Sequence, residues 1–87
     1  MKFVDKFGRI IILTDDGIKH IYKHPEMQNK LYLVENTIKF PDSVEEDLYR
    51  SRIYYYKYIK QEKRNVMIAT KLINNKGYVL TAYLVEK

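Results

Sequence analysis

The sequence predicts an α+β domain in which a short N-terminal hairpin and two helices pack on a four-stranded antiparallel sheet. Three observations carry that expectation. Apolar residues recur at helical spacing from about residue 16 to residue 39, then alternate as in strands beyond Phe40-Pro41-Asp42. The three glycines and two prolines are scattered singly and mark turns, with no linker, repeat or low-complexity tract, so 1–87 reads as one domain. With 46% hydrophobic and 31% charged residues in 87, the chain is globular and holds one modest core. A core of that size is marginal alone, and a homo-oligomer or a protein partner is one way to extend it.

Each element follows from local chemistry. Phe3-Val4 pairs with Arg9 to Leu13 across a turn at Lys6-Phe7-Gly8. Thr14-Asp15-Asp16 supplies an N-cap for a helix from about Asp16 to His24, with Ile18, Ile21 and Tyr22 on its apolar face. Pro25 ends that helix, because proline disfavours a helical residue before it. Pro25 also suits the first turn of a second helix, where Glu26 meets the positive end and Met27, Leu31, Val34 and Ile38 form one stripe. Ser43 to Tyr49 reads as a polar edge strand. Ile53 to Lys60, Val66 to Ile73 and Tyr78 to Val85 follow, joined by turns at Glu62 to Asn65 and Asn74 to Gly77. Helices on one sheet face leave the other free for a ligand or partner.

Composition narrows the function. Sixteen Lys and Arg against 11 Asp and Glu give a formal charge of +5, which favours a polyanion, nucleic acid ahead of a membrane surface. The absence of cysteine excludes disulfides, zinc–thiolate sites and iron–sulfur clusters. No apolar run reaches membrane-spanning length, and Met1 to Asp5 lacks the apolar core of a signal peptide, so a cytoplasmic location with no membrane association is expected. The glycines lie too far apart to cradle a phosphate, and no cofactor or metal set is readable; HExxH is absent from the histidine segment.

Three segments can carry chemistry. His20 and His24, the two histidines, lie four apart and would share a helix face beside the Ile18/Ile21 stripe. A surface His20 and a His24 that caps the helix junction fit the same spacing. On the tyrosine-dense strand, alternation puts Arg52, Tyr54, Tyr56, Tyr58 and Lys60 on one face and Ile53, Tyr55, Lys57 and Ile59 on the other. Cations interleaved with aromatics suit single-stranded nucleic acid, and the same stripe fits a core beneath helices equally well. Arg50 and Arg52 can hold phosphate or pair with Glu45, Glu46 or Asp47. On the last strand Thr81 and Tyr83 share a face and offer two hydroxyls, while Ala82 points the other way with Leu80 and Leu84.

In order, "DKFGRIIILT" (Asp5 to Thr14), "HIYKHPEM" (His20 to Met27), "PDSV" (Pro41 to Val44), "YYYK" (Tyr54 to Lys57) and "GYVLTAYL" (Gly77 to Leu84) resemble small bacterial and phage-associated domains of the barnase / EndoU / colicin / RelE-like (BECR) nuclease superfamily. The resemblance covers nearly the whole chain. It implies helices followed by a four-stranded antiparallel sheet, and metal-independent RNA cleavage of toxin type, with RNA as substrate and an antitoxin or immunity protein as partner. By position it places His20 as a helix histidine facing the sheet and Thr81 as the last-strand hydroxyl. Arg50 or Arg52 would be the phosphate-binding cation, and His24 the "HPE" histidine. The expected catalytic set is then His20, His24, Arg52, Thr81 and Tyr83, with Arg50, Tyr54, Tyr56, Lys57 and Lys60 binding RNA. The acidic run Glu45-Glu46-Asp47 departs from that pattern and repels a phosphate backbone. A non-catalytic nucleic-acid-binding module and a degenerate protein-interaction domain are the alternatives on the same fold.

Overall fold

A computed structural model describes residues 1–86. Strands β1 (Lys2–Val4) and β2 (Ile10–Ile12) form the expected hairpin, followed by α1 (Asp15–Tyr22), a single 3-10 turn (Pro25–Met27) and α2 (Leu31–Lys39). Strands β3 (Ser43–Asp47), β4 (Arg52–Ile59), β5 (Arg64–Ile73) and β6 (Lys76–Val85) complete the chain.

The fold class is α+β, but the sheet is neither four-stranded nor wholly antiparallel. It has six strands in the order β1-β2-β6-β5-β4-β3, with β2 parallel to β6 and every other pair antiparallel. The hairpin joins the sheet because its inward side chains belong to the same core. Phe3 and Ile11 are buried with Ile53, Tyr55, Val66, Ile68, Val79, Ala82 and Leu84. Gly77 makes the junction close, since a Cβ there would stand 2.6 Å from Ile11 Cδ1.

The helices cover one face. Thr14 caps α1 by accepting from the Gly17 N–H at 3.1 Å, and Asp15 and Asp16 sit at its positive end. Ile21 is buried, with Ile18 and Tyr22 packed against the core. Gly17 lets α1 press on β6: a Cβ there would lie 2.9 Å from the Val79 carbonyl oxygen. The second helix starts later than its apolar spacing predicts. Asn29, at φ 60°, takes the left-handed conformation and separates the Pro25–Met27 turn from α2. The helix is interrupted after Met27, yet Met27, Val34 and Ile38 are all buried and Leu31 packs on the same core, with Leu33 and Thr37 completing the buried face of α2. Asn74 and Asn75, both at positive φ, make the two-residue turn between β5 and β6.

A second correction concerns β6. Ala69 pairs with Thr81 but Thr70 with Val79, so Leu80 is an extra residue in a β-bulge. The bulge shifts the alternation, so Val79 and not Leu80 joins Ala82 and Leu84 inside.

Among the described residues one carboxylate lies deep in the core. Asp5, at the end of β1, accepts from the Phe7 and Arg9 N–H groups at 2.9 and 2.8 Å, from Arg9 Nε at 2.9 Å and from the Tyr55 hydroxyl at 2.7 Å. Arg9 reaches on to Glu46 on β3 at 3.3 Å. Burial alone would push the Asp5 carboxyl up, but the hydrogen bonds from Tyr55, Arg9 and Phe7 outweigh it and hold it below its ordinary value. Burial, and then the hydrogen bond and charge of Asp5, push the Tyr55 phenol up.

Candidate nucleic-acid interface

The helix-free face of the sheet is laid out in rows by strand pairing. One row runs Asp47, Arg52, Lys71, Tyr78, Ile12, Lys2. The next runs Glu45, Tyr54, Ala69, Thr81, and the third Ser43, Tyr56, Met67, Tyr83. Met67 and Ala69 are buried although they lie on this face, while Tyr54, Tyr56 and Tyr83 beside them stay half-buried. The tyrosine stripe is therefore surface, with Tyr55 alone of that run pointing into the core. Among the described residues neither Arg52 nor Lys71 enters an ion pair. The Arg52 guanidinium donates to the Arg50 carbonyl at 3.0 Å. Arg50 stands 3.9 Å from Asp47 with its side chain 74% exposed.

His24 stands at the rim of this face. It lies beyond the end of α1 in extended conformation (φ −96°, ψ 107°), as a residue before proline favours. The helical relation that would pair His20 with His24 therefore does not form. His20 is exposed on α1, and its ring joins no hydrogen bond among the described residues. The His24 ring instead packs on Tyr83, with centroids 4.8 Å apart and planes tilted 39°. The cause lies in the edge of β6. Strand β2 is three residues long and meets β6 only at Gly77 and Tyr78, which leaves the rest of that edge without a strand partner. The segment after α1 lies along it, and Glu26 Oε2 accepts from the Leu84 N–H at 3.4 Å. "HPE" and "TAY", far apart in sequence, thus meet in space.

The other residues expected at the site are divided. Thr81 and Tyr83 lie side by side on the open face, and Tyr54 and Tyr56 face them from β4. Lys57 points to the helix side, where Nζ donates to the Phe40 carbonyl at 2.9 Å. Lys60 lies past the end of β4 in an exposed turn. Arg52 precedes Tyr56 by four residues, about 13 Å along the strand, and Tyr83 lies two strands beyond, about 10 Å across. Arg52 and His24 therefore stand too far apart to meet on a single small group.

The rows add one residue that sequence reasoning passed over. Lys71 stands beside Arg52, and only pairing register reveals it. Glu45 accepts from the Tyr56 hydroxyl at 3.2 Å. Burial, then the charge and hydrogen bond of Glu45, push the Tyr56 phenol up, so it remains a donor at neutral pH. Glu45 and Asp47 on β3 place carboxylates along one margin of the face. Chemically, the face offers cations for phosphate, phenol rings for bases, hydroxyls for hydrogen bonds and an imidazole for proton transfer. Among the described residues no group of three or more His, Asp or Glu is disposed to hold a metal ion, and no helix is long and apolar enough to cross a membrane. Comparison with protein-family models, curated proteins and solved structures finds no match to this chain.

Proposed function

We propose that the open face binds single-stranded RNA and cleaves it without a metal, in the manner of a toxin-type endoribonuclease. The observation that carries this reading is the contact of His24 with Tyr83 at the rim of a face built from tyrosines and cations. RNA supplies its own nucleophile. The 2′-oxygen loses its proton to a base and attacks phosphorus, while the bond to the 5′-oxygen breaks and that oxygen takes a proton from an acid. The products are a 2′,3′-cyclic phosphate and a free 5′-hydroxyl.

His24 is the residue we assign to proton transfer, in preference to His20, because it alone of the two reaches the face. Tyr83 orients it, and the Thr81 and Tyr83 hydroxyls donate to the reacting phosphate. Arg52 and Lys71 hold a neighbouring phosphate. Tyr54 and Tyr56 stack on bases. The test is RNA cleavage in excess chelator. Wild type should leave cyclic phosphate ends, His24→Ala should lose roughly 10²-fold or more, and His20→Ala should lose less than His24→Ala. Equal losses, or none, remove His24 from the role.

A second reading has its own support. The separation of Arg52 from His24 leaves the reacting phosphate without a nearby arginine, as suits a binding module that performs no cleavage. That reading gives salt-dependent RNA binding and no product.

A further inference from the structure

The turn between β3 and β4 exposes residues that turn chemistry does not call for. Leu48 is 68% and Tyr49 98% exposed, at positions where Gly, Asn, Asp or Ser are the usual solution. The turn is nonetheless tightly built. The Arg50 N–H donates to the Asp47 carbonyl and to Asp47 Oδ1, both at 3.2 Å. The Ser51 N–H donates to the Leu48 carbonyl at 3.3 Å, and the Ser51 carbonyl accepts from the Leu72 N–H at 2.8 Å. Ser51 adopts φ 55°, in the left-handed region. A hydrogen-bonded turn thus carries an aromatic ring almost wholly in solvent, with its faces open to a stacking partner.

The tip adjoins the cationic end of the open face. Arg50 lies within the turn, Arg52 follows it, and Lys71 pairs across from Arg52. A polyanion drawn to these three cations reaches the turn that carries Tyr49. An unpaired base can stack on the ring, whereas a base inside a duplex presents no free face.

We propose that Tyr49 is a stacking post for an unpaired nucleotide flanking the cleaved one, so that the RNA strand runs from His24 across Tyr54 and Arg52 to the β3–β4 turn. This deepens the reading above and rests on it. It makes the substrate an unpaired stretch of several nucleotides, with the Tyr49 end serving binding alone.

The test uses 2′-O-methyl RNA, which lacks the nucleophile and survives intact. Fluorescence anisotropy is measured on labelled single strands from about 4 to about 16 nucleotides. For wild type, affinity should rise with length and then level off. Tyr49→Ala should weaken the long strands by about ten-fold and leave the shortest unchanged, whereas Tyr49→Phe should bind as wild type. A duplex of the same length should compete poorly. If Tyr49→Ala binds long strands as wild type does while Tyr56→Ala loses them, the stacking post is overturned and the tyrosine face stands. If wild type binds no RNA of any length, both proposals fall. Tyr49 touches nothing in the core, so its variants keep the fold.

Discussion

The Tyr55 hydroxyl donates to Asp5 Oδ2 at 2.7 Å, tying the end of β1 to the middle of β4 through the core. The bond joins the part of the sheet farthest from β4 in strand order to β4 itself, with Arg9 to Glu46 as a second link to β3. Tyr55→Phe keeps the packing and leaves the carboxylate one donor short. We expect a loss of about 2 kcal/mol in urea unfolding, the scale of a hydrogen bond to a charged group. Asp5→Asn should cost more, about 3 kcal/mol, because it also deprives Arg9 of its closest partner.

The same group sets acid sensitivity. Asp5 titrates below its ordinary value of 3.8 in the folded chain. Below pH 3.8 the unfolded chain binds this proton first, so stability is complete above that pH and falls as pH drops toward the folded value. On the alkaline side the unfolded chain releases the Tyr55 proton near its ordinary 10.0, and the folded chain does so only higher. Stability is then lost as pH rises past 10.0. Unfolding followed by circular dichroism across both ranges should show each limb, and Tyr55→Phe should flatten the alkaline one.

Gly17→Ala is expected to destabilise, although alanine favours a helix interior by about 1 kcal/mol over glycine. The new methyl would meet the Val79 carbonyl oxygen at 2.9 Å and Leu13 Cδ1 at 3.1 Å. Backbone cannot yield cheaply, so α1 must lift from β6 at a net cost of about 1–3 kcal/mol. His24 follows α1 in sequence, so the proposed RNA cleavage should fall along with the unfolding midpoint.

Arg52→Ala and Lys71→Ala each remove one cation from the same row. For single-stranded RNA, each variant should make the slope of log affinity against log salt shallower by about 0.7. Lys57→Ala is the comparison, since its ammonium group is engaged on the helix side of the sheet and should leave the slope alone.

Much of this was legible along the chain and little of it across the chain. The order of hairpin, helices and strands follows from capping, proline placement and alternation, and those are local. The parallel pairing of β2 with β6 joins residues near 11 to residues near 77 and has no local signature. The bulge at Leu80 defeats period-two reading, since one extra residue exchanges the inward and outward sets before and after it. His24 could be singled out as a residue, but its partner Tyr83 follows only once the short β2 is known to leave the edge of β6 open. Asp5 gave no warning either, because an aspartate beside a turn usually faces solvent.

The placement of β6 between β2 and β5 also orders events during synthesis. The hairpin and the His24 segment leave the ribosome early, yet the strand that both lie against is the last strand described. Until residues 76–85 have emerged, Ile11 has no Gly77 to pack on and His24 has no Tyr83. Non-local pairing of this kind closes late in folding. A nascent chain therefore carries the pieces of the site without the site, and whatever chemistry the face performs starts only after translation has passed its last strand.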